Sequence, residues 1–176
     1  MELQYLGNVL ILRAIQGAGK TTLWTERYVK SDCHSTDNFF VDEEGNYIFD
    51  HRRLPEAHDW NLRRFIYALI SQRDLIMARS AEGATDEELA ELARRHHAVV
   101  DNTNITVAEV APYYQAAQAL GFKVGILTLL CPWEVAAKRC VHDVPPMQIY
   151  KASLRLDEET LRFPPWWTHE VANSLA

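Results

Sequence analysis

Cysteine is scarce in this sequence, and so are the marks of a membrane or secreted protein. Its three cysteines, Cys33, Cys131 and Cys140, form no CxxC pair, which argues against a disulfide framework or a structural zinc site. The apolar run near the start is broken by Arg13 and is too short to span a membrane. No basic stretch precedes that run, as it would in a signal peptide. A cytoplasmic location is therefore expected.

Positive charge is also in deficit. The chain has 18 Lys+Arg against 24 Asp+Glu, a formal net charge of −6 at pH 7. A general nucleic-acid binder usually carries a basic surface that neutralises phosphates, and this chain does not do so on average. A local basic groove of Arg52, Arg53, Arg63 and Arg64 stays open as a hypothesis. Each of these arginines is also typical of a solvated helix face.

Internal repeats, low-complexity tracts and linkers are missing too, so the 176 residues predict a single domain over 1–176. What the sequence contains instead is an alternation of apolar runs with helical patterns. Strands are predicted at 8–14 and 122–130, a short strand is predicted to end near 33–37, and residues 97–104 are predicted to be a strand that ends in a polar loop. Helices are predicted at 20–30, 55–72, 85–96, 106–121, 132–141 and 145–159. This alternation predicts an α/β fold with a parallel sheet between helices.

Local signals refine these elements. Capping boxes run from Thr85 to Glu88 and from Thr106 to Glu109, each at the start of a predicted helix. Pro112 lies inside the second of these helices, which predicts a kink or a delayed start. The two β-prone runs of residues 39–50 predict a hairpin or an extended loop.

Four polar or special segments follow predicted strands. They are Gln16–Thr21, Ser35–Asn38, Asp101–Asn104 and Cys131. In an open parallel sheet, ligands bind beyond the carboxyl ends of the strands. The sequence therefore predicts one functional site at that edge.

Residues 14–21, "AIQGAGKT", match the phosphate-loop pattern G-x-x-x-x-G-K-[ST] except that Ala14 replaces its first glycine. Backbone N–H groups and the following helix N-terminus would hold the phosphates. Lys20 is expected to bridge the β- and γ-phosphates, and the Thr21 hydroxyl to ligate Mg²⁺. The Ala14 methyl costs little at negative φ and about 1 kcal/mol at positive φ. The predicted nucleotide contacts of the loop are Gln16, Gly17, Ala18, Gly19, Lys20, Thr21 and Thr22.

Carboxylates and amides after the second and third strands supply the rest of the predicted site. Asp37 can accept the proton of an incoming hydroxyl, although an aspartate here is also typical of a cap or turn. Asp101 follows a buried strand, where a Walker-B-type acid holds Mg²⁺ through water. Asn102, Thr103 and Asn104 are either substrate contacts or turn formers.

A cation near the end of the chain can complete the site. Arg139 follows the last predicted strand and can neutralise charge on the transferred phosphoryl group. Lys138 competes for this role, and either side chain is often only a surface charge. His34 and His142 are candidate polar contacts only.

Five ordered segments carry a resemblance to a known family. They are "RAIQGAGKTT", "STDNFF", "AHDWN", "VVDNTN" and "KRCVHDVP", spread over residues 10–150. The chain resembles a P-loop kinase of the phage polynucleotide 5′-hydroxyl kinase type, in its stand-alone AAA-like or zeta-toxin-like branch. The resemblance implies an adenylate-kinase-like P-loop fold with five parallel strands, an inserted helix and a helical lid at about 136–148. It also implies that Asp37 is the general base, that Lys20 and Thr21 handle ATP and Mg²⁺, and that Arg139 reaches over the nucleotide.

The resemblance implies less about the residues that contact the acceptor. His58, Trp60 and Asn61 would lie on a helix beside the acceptor, with packing the favoured role of Trp60. The predicted acceptor contacts are Asp37, Asn38, His58, Asn61, Arg64, Asn102, Thr103 and Asn104.

Several positions depart from the family pattern. Gln16 replaces a proline of the loop, Asn38 replaces a second aspartate, and Asp143 replaces a glycine. Phe40 stands where the polynucleotide kinases carry an arginine that grips a substrate phosphate. This last departure weakens the inference to a 5′-hydroxyl polynucleotide and leaves the kinase inference unchanged.

Two segments fall outside the pattern. Residues 73–96 resemble an insertion, either a helical flap over the acceptor or a surface elaboration. Near the C-terminus, Phe163, Trp166 and Trp167 could stack bases, but packing on the core is favoured.

The function expected from the sequence is an ATP- and Mg²⁺-dependent kinase acting on a hydroxyl of a nucleic acid or nucleotide. Two variants stay open: a kinase for a hydroxymethylated base in DNA, and a small-molecule kinase for nucleosides, sugars or antibiotics. The net charge and Phe40 favour these variants. The alternative of another class is a nucleotide-dependent ATPase switch, against which Asp37 and the short chain argue.

Overall fold

A parallel sheet forms the centre of the molecule in a computed structural model, which describes residues 5–26, 33–141 and 144–174. Its strands are β1 (Asn8–Arg13), β2 (Cys33–His34), β3 (His97–Asp101), β4 (Lys123–Leu130) and β5 (His169–Asn173). The strands pair in parallel in the order β2-β3-β1-β4-β5. The fold class predicted from the sequence, an α/β fold with a five-stranded parallel sheet, is confirmed.

Six α-helices accompany the sheet in the described part of the chain. They are α1 (Lys20–Thr25), α2 (Leu54–Ala81), α3 (Asp86–Arg95), α4 (Val107–Ala119), α5 (Trp133–Arg139) and α6 (Pro146–Thr160). Two short 3₁₀ helices, Thr36–Phe40 and His51–Arg53, connect β2 to α2. The first helix was predicted to reach residue 30; it ends at Thr25, and residues 27–30 lie outside the described residues.

The central strand β1 is apolar on both faces because both faces are covered. Val9 and Ile11 belong to one core cluster with Phe65 of α2, whereas Leu12 packs with Trp24 of α1 in another cluster. Fully burying a side chain of this size stabilises a fold by about 1.5–3 kcal/mol. The hydrophobic run that identified the strand is therefore also the centre of the core.

The capping boxes behave as their sequence predicts. Thr85 caps α3 and Thr106 caps α4, and in each case the glutamate three residues on closes the box. Pro112 lies inside α4, whose start is not delayed, because the helix already begins at Val107.

Residues 73–96 need a correction. The helix predicted at 55–72 continues to Ala81, so most of the supposed insertion is the end of α2 plus α3. Ile76 of α2 and Leu89 of α3 pack in one cluster with Leu6, which precedes the amino end of β1. A flap over the acceptor would lie at the opposite, carboxyl edge of the sheet. The helix α3 is instead an elaboration of the amino edge.

The C-terminal region contains a strand that the sequence reading missed. Residues His169–Asn173 form β5, whose exposed edge position leaves only a weak apolar pattern. Trp167 stacks on Tyr114 with ring centroids 4.5 Å apart, and Phe163 also joins the core, as favoured from the sequence. Trp166 remains 74% exposed.

The segment 41–50 is an exposed, ordered loop rather than a full hairpin. Its β-pairing is one isolated antiparallel bridge between Val41 and Tyr47. Asp42 accepts hydrogen bonds from the backbone N–H groups of Glu44 and Asn46, which closes the turn. Within the described ranges, no helix is both long and apolar enough to cross a membrane.

Candidate active site

The loop between β1 and α1 has a backbone that favours glycine at two positions. Gly17 has φ 78° and Gly19 has φ 89°, both in the left-handed region. A Cβ on Gly17 would lie 2.0 Å from the carbonyl oxygen of Ala136, so the loop is pressed against α5 there. A Cβ on Gly19 would meet no atom within 4 Å. The loop is therefore closed on the α5 side and open beside Gly19.

Ala14, the departure from the phosphate-loop pattern, fits its position. It is fully buried, and its backbone N–H donates to the carbonyl oxygen of Thr103 at 3.0 Å. Among the described residues, Asn104 is the one non-glycine with positive φ, so Ala14 lies outside that region. The methyl group is accommodated at the low cost expected for negative φ.

Four side chains cluster where α1 meets the end of β3. Thr21 Oγ1 donates to Asp101 Oδ2 at 3.2 Å, and Trp24 Nε1 donates to the same oxygen at 2.6 Å. Burial lowers the pKa of Lys20, while Asp101 and then Asp37 act in the opposite direction. Burial raises the pKa of Asp101, and Lys20 opposes that rise. The lysine and the carboxylate thus offset each other's desolvation.

The cluster fits a magnesium–nucleotide complex. A threonine hydroxyl and a carboxylate are oxygen donors of the kind Mg²⁺ prefers, and the open side of Gly19 leaves space for phosphates. The described ranges hold no group of three or more His, Cys, Asp or Glu able to bind a metal alone.

Asp37 lies in the first turn of the 3₁₀ helix Thr36–Phe40. Ser35 caps this helix and accepts a hydrogen bond from the Asp37 backbone N–H at 3.3 Å. The Asp37 carboxylate is exposed, and the Tyr47 hydroxyl donates to its Oδ1 at 3.3 Å. This carboxylate is thus held at the cleft with one partner and access to solvent.

The segment after β3 ties the two halves of the site together. Asn102 Oδ1 accepts from the Thr36 backbone N–H at 2.9 Å, next to Asp37. Thr103 accepts from Ala14 at the base of the phosphate loop. One short segment therefore sets the position of the Asp37 turn relative to the loop.

A cleft of about 680 Å³ opens between these elements. Its lining includes Gln16–Leu23, Asp37, Asp101, Asn102, Thr103, Leu129, Arg139, Cys140, Val141, Ala172, Asn173 and Ser174. All seven predicted loop contacts therefore line one cavity with Asp37 and Asp101. A second cavity, of about 530 Å³, lies against α3 and contains none of the predicted site residues.

Some residues predicted to contact the acceptor lie elsewhere. Asn104 is buried and donates through Nδ2 to the carbonyl oxygen of Leu12 at 2.7 Å, so it braces β1. Asn61 is buried and donates to the Tyr113 hydroxyl at 3.0 Å. These two asparagines are packed in the scaffold, where Asn61 Oδ1 is buried with no hydrogen-bond partner among the described residues.

Other predicted acceptor residues lie near Asp37 without lining the cleft. His58 Nδ1 is 3.3 Å from Thr36 Oγ1, and Asn38 is exposed on the same 3₁₀ helix as Asp37. The Arg64 guanidinium lies 4.8 Å from the centre of the Trp60 ring, which packs against Phe39. Packing is thus a role that the contacts of Trp60 support.

The lid region is described in part. Arg139 is the last residue of α5 and lines the cleft, as does Cys140, whereas Lys138 does not. The predicted lid, 136–148, includes the end of α5 and the start of α6. His142 and Asp143 lie outside the described residues.

Arg13, just before the loop, is a structural residue that the sequence reading did not assign. It is fully buried and donates to the carbonyl oxygens of Ile105 and Leu156 at 2.8 and 2.6 Å, and to Thr160 Oγ1 at 2.6 Å. Burial lowers the pKa of Arg13 to about 10, against the pull of Glu159. The arginine thereby fastens α6 to the strand that carries the phosphate loop.

Trp24, Tyr47 and β5 were also missed as parts of the site. In the sequence, a tryptophan four residues after Lys20 indicates a core side chain. Its hydrogen bond to Asp101 was not predicted because the two residues are 77 positions apart in the chain. Tyr47 meets Asp37 only because the exposed loop folds back. Asn173 and Ser174 reach the cleft through β5, whose pattern was too weak to identify.

Comparisons with known proteins agree with this architecture. A family model described as an AAA domain matches residues 9–142. NEDD4-binding protein 2 of Homo sapiens is 31% identical over 126 residues, which are 68% of this chain and 6% of that protein. The chain therefore spans a small part of that relative's length.

Two solved structures are similar in fold. One, titled "Structure of Pnkp1/Rnl/Hen1 complex", has a TM-score of 0.51 and 14% identity, covering 82% of this chain and 42% of its own. A gluconokinase from Sinorhizobium meliloti 1021 has a TM-score of 0.46 and 13% identity, covering 98% and 85%. The first match shows a shared α/β fold, and the second carries no further argument.

Proposed function

This chain belongs to the AAA domain family whose model matches residues 9–142, and from that premise we propose that it is an ATP- and Mg²⁺-dependent kinase. The acceptor is an alcohol, in first place a hydroxyl of a nucleic acid or nucleotide, as in the polynucleotide-kinase-like prediction. One observation carries the proposal: Lys20 and the exposed carboxylate of Asp37 line the same cleft. A switch ATPase would use the same phosphate side but would orient a water rather than an alcohol at Asp37, a difference that the acceptor assay below measures.

The nucleotide side is assigned to the loop and its neighbours. Loop N–H groups and Lys20 bind the phosphates, and Arg139 neutralises charge from the α5 side. Thr21 and Asp101 would hold Mg²⁺, which when bound offsets charge on the β- and γ-phosphate oxygens. Burial lowers the pKa of Lys20, and the carboxylates of Asp101 and Asp37 oppose that effect.

The transfer step uses Asp37 as general base. The acceptor oxygen bonds to the γ-phosphorus as the bond from that phosphorus to the bridging oxygen breaks, and ADP leaves. The acceptor proton passes to an oxygen of the Asp37 carboxylate, which is exposed to an incoming alcohol. Lys20 and Arg139 balance the charge that spreads over the transferred group.

A small-molecule acceptor is the second candidate. It is favoured by Phe40, which is 4% exposed and packed among aromatic rings at the position where the polynucleotide kinases that the chain resembles carry a phosphate-gripping arginine. A hydroxymethylated base in DNA is a further acceptor of the same reaction. The ATPase switch remains the alternative of another class, because it would release phosphate only to water.

Transfer of labelled γ-phosphate across a panel of acceptors tests the proposal. The panel contains 5′-hydroxyl DNA and RNA, DNA with hydroxymethylated pyrimidines, free nucleosides, and polyols such as sugars. Labelling of any acceptor is the expected result. ATP turnover without any labelled acceptor would establish the switch instead.

Asp37→Asn tests the assigned base. We expect transfer to fall by about 10²- to 10⁴-fold with ATP affinity unchanged. Asp59→Asn is the matched control, because Asp59 is an exposed carboxylate that pairs with Arg63 on α2. If Asp37→Asn abolishes ATP binding, or leaves transfer intact, Asp37 is not the base.

A further inference from the structure

The loop beside Asp37 exposes aromatic rings where a soluble protein would ordinarily bury them. Tyr47 is 43% exposed, Phe49 is 52% exposed, and Ile48 between them is 65% exposed. Tyr47 and Phe49 point to the same side because side chains two residues apart in an extended segment share a face. Their ring planes lie within 13° of each other, with centroids 6.3 Å apart. We name these two rings the ring pair.

The ring pair is fixed in place. Phe49 and Tyr47 both contact Phe40, at centroid distances of 5.0 and 6.3 Å, and Phe40 is buried. The Ile48 backbone N–H donates to the Phe40 carbonyl oxygen at 2.8 Å. Asp42 holds the turn through its carboxylate, whose pKa is lowered by the hydrogen bonds from Asn46. The exposed rings are thus preorganised, which limits the entropy lost when a ligand packs on them.

The ring pair adjoins the proposed base. The Tyr47 hydroxyl donates to Asp37 Oδ1 at 3.3 Å. Burial raises the pKa of Tyr47 to about 12, and the Asp37 charge adds to that rise, so the hydroxyl stays protonated and acts as a donor. Neither ring is among the residues lining the cleft, so an acceptor whose alcohol reaches Asp37 meets the ring pair at the margin of the cleft, through Tyr47.

The charge around the ring pair restricts the acceptor further. Residues 37–64 contain seven Asp or Glu against four Arg. Three of those arginines are paired, Arg52 with Asp50, Arg53 with Glu56, and Arg63 with Asp59. Such a surface binds a chain of phosphates weakly, because phosphates are bound by lysine and arginine side chains that are not already paired with carboxylates. A planar, uncharged group complements it better, since stacking on aromatic rings needs no cation.

Resting on the proposed kinase function, we infer that the acceptor carries a nucleobase that stacks on the ring pair of Tyr47 and Phe49, and that it is of low charge, as in a nucleoside. Its hydroxyl then faces Asp37. In this arrangement the nucleobase of the acceptor packs on the ring pair, and its sugar hydroxyl contacts the Asp37 carboxylate.

Phe49→Leu is the main test variant, because leucine keeps an apolar side chain and removes the ring. In the labelled-phosphate assay we expect its KM for nucleosides to rise about tenfold, with KM for ATP unchanged. Trp166→Leu is the control, since Trp166 is an exposed ring that precedes β5 at the amino edge of the sheet. A control variant that weakens nucleoside use as much as Phe49→Leu would overturn the assignment.

Binding without chemistry gives a second readout. The fluorescence of 2-aminopurine riboside, a probe that is quenched on stacking, should fall when wild-type protein is added without ATP, and should fall less with Phe49→Leu. Unchanged fluorescence with the wild type at probe concentrations that saturate its use as acceptor would contradict stacking.

The acceptor panel separates this inference from the kinase proposal. Nucleosides labelled in preference to polyols and to 5′-hydroxyl oligonucleotides are the expected result. A polyol labelled equally well, with no loss in Phe49→Leu, overturns the base-stacking inference and leaves the kinase standing. Preference for the oligonucleotide, or for hydroxymethylated DNA, overturns the low-charge acceptor. If nothing is labelled, the kinase proposal itself fails.

Discussion

The two sides of the cleft are built in different ways. On the nucleotide side, Gly17 is pressed against α5, and Trp24 holds Asp101 through a partly buried hydrogen bond. On the acceptor side, Asp37 is exposed, and the loop of residues 41–50 is exposed almost throughout. The comparison teaches that the proposed phosphate side is held by contacts to the sheet and to α5, whereas the proposed acceptor side lies on a surface loop that can vary without disturbing the core.

Arg13 also distinguishes the nucleotide side from the acceptor side, because it is buried and hydrogen-bonded within the scaffold. Its guanidinium joins β1 to α6 and to the turn at Ile105, all on the nucleotide side. A buried arginine is tolerated because its donors meet carbonyl and hydroxyl oxygens. The acceptor loop is held instead by one isolated bridge, by hydrogen bonds within the loop and to Phe40, and by ring contacts. The predictions below test whether the two sides differ in this way.

The largest effect is expected for Gly17→Ala. The new Cβ would lie 2.0 Å from the Ala136 carbonyl oxygen at φ 78°, so the loop must move from α5. Overpacking and left-handed strain together cost about 3 kcal/mol, which corresponds to roughly a hundred-fold loss of ATP affinity. Calorimetric titration with ATP measures this loss of affinity.

Gly19→Ala is the matched control for Gly17→Ala. Its φ is also positive, but its Cβ would enter open space, so only the strain of about 1 kcal/mol is expected. If both variants lose ATP affinity equally, contact with α5 is not what makes the loop rigid.

A pH effect of intermediate size is expected from His34 at the end of β2, which leads to Asp37. Burial lowers the pKa of His34 to about 4, with the nearby Arg64 and His96 adding to the shift. Below pH 6.5 the unfolded chain binds a proton that the folded protein does not, so stability falls as pH drops from 6.5 toward 4. The loss reaches up to about 3 kcal/mol.

Urea unfolding at several pH values compares wild type with His34→Gln. The variant should lose less stability between pH 6.5 and 4, and His51→Gln, an exposed histidine, should behave as the wild type. Parallel pH curves for wild type and His34→Gln would show that the pKa of His34 does not differ between the folded and unfolded states.

The smallest effect is expected for Trp24→Phe. Phenylalanine keeps a ring in the core but removes the N–H that donates to Asp101 at 2.6 Å. Loss of one hydrogen bond to a charged group predicts about a tenfold fall in the Mg²⁺-dependent part of ATP affinity. The ratio of ATP dissociation constants in Mg²⁺ and in EDTA measures this part.

Trp166→Phe serves as the control for Trp24→Phe, because Trp166 is exposed and far from the cleft lining. An unchanged Mg²⁺ ratio, with affinity reduced equally in both media, would mean that Trp24 acts only through packing.

Periodicity and local chemistry were enough to predict most of the scaffold. The apolar runs located β1, β3 and β4, and the capping boxes located the starts of α3 and α4 within one residue, since these signals act over a few neighbouring residues. The motif around Gly19 and Lys20 identified the loop for the same reason. The edge strand β5 escaped because pairing with β4, rather than its own pattern, makes it a strand.

The sequence by itself determined the phosphate loop, the parallel sheet and the set of polar residues at one edge, because each is encoded in short stretches of the chain. Only the tertiary structure decided which of those residues share a cleft. In it, Trp24 donates a hydrogen bond to Asp101 and Tyr47 donates one to Asp37. The side chains of Asn61 and Asn104 instead donate to partners in the interior. The physical reason is that a buried polar group must find its partner among residues distant in the chain, and that choice depends on packing.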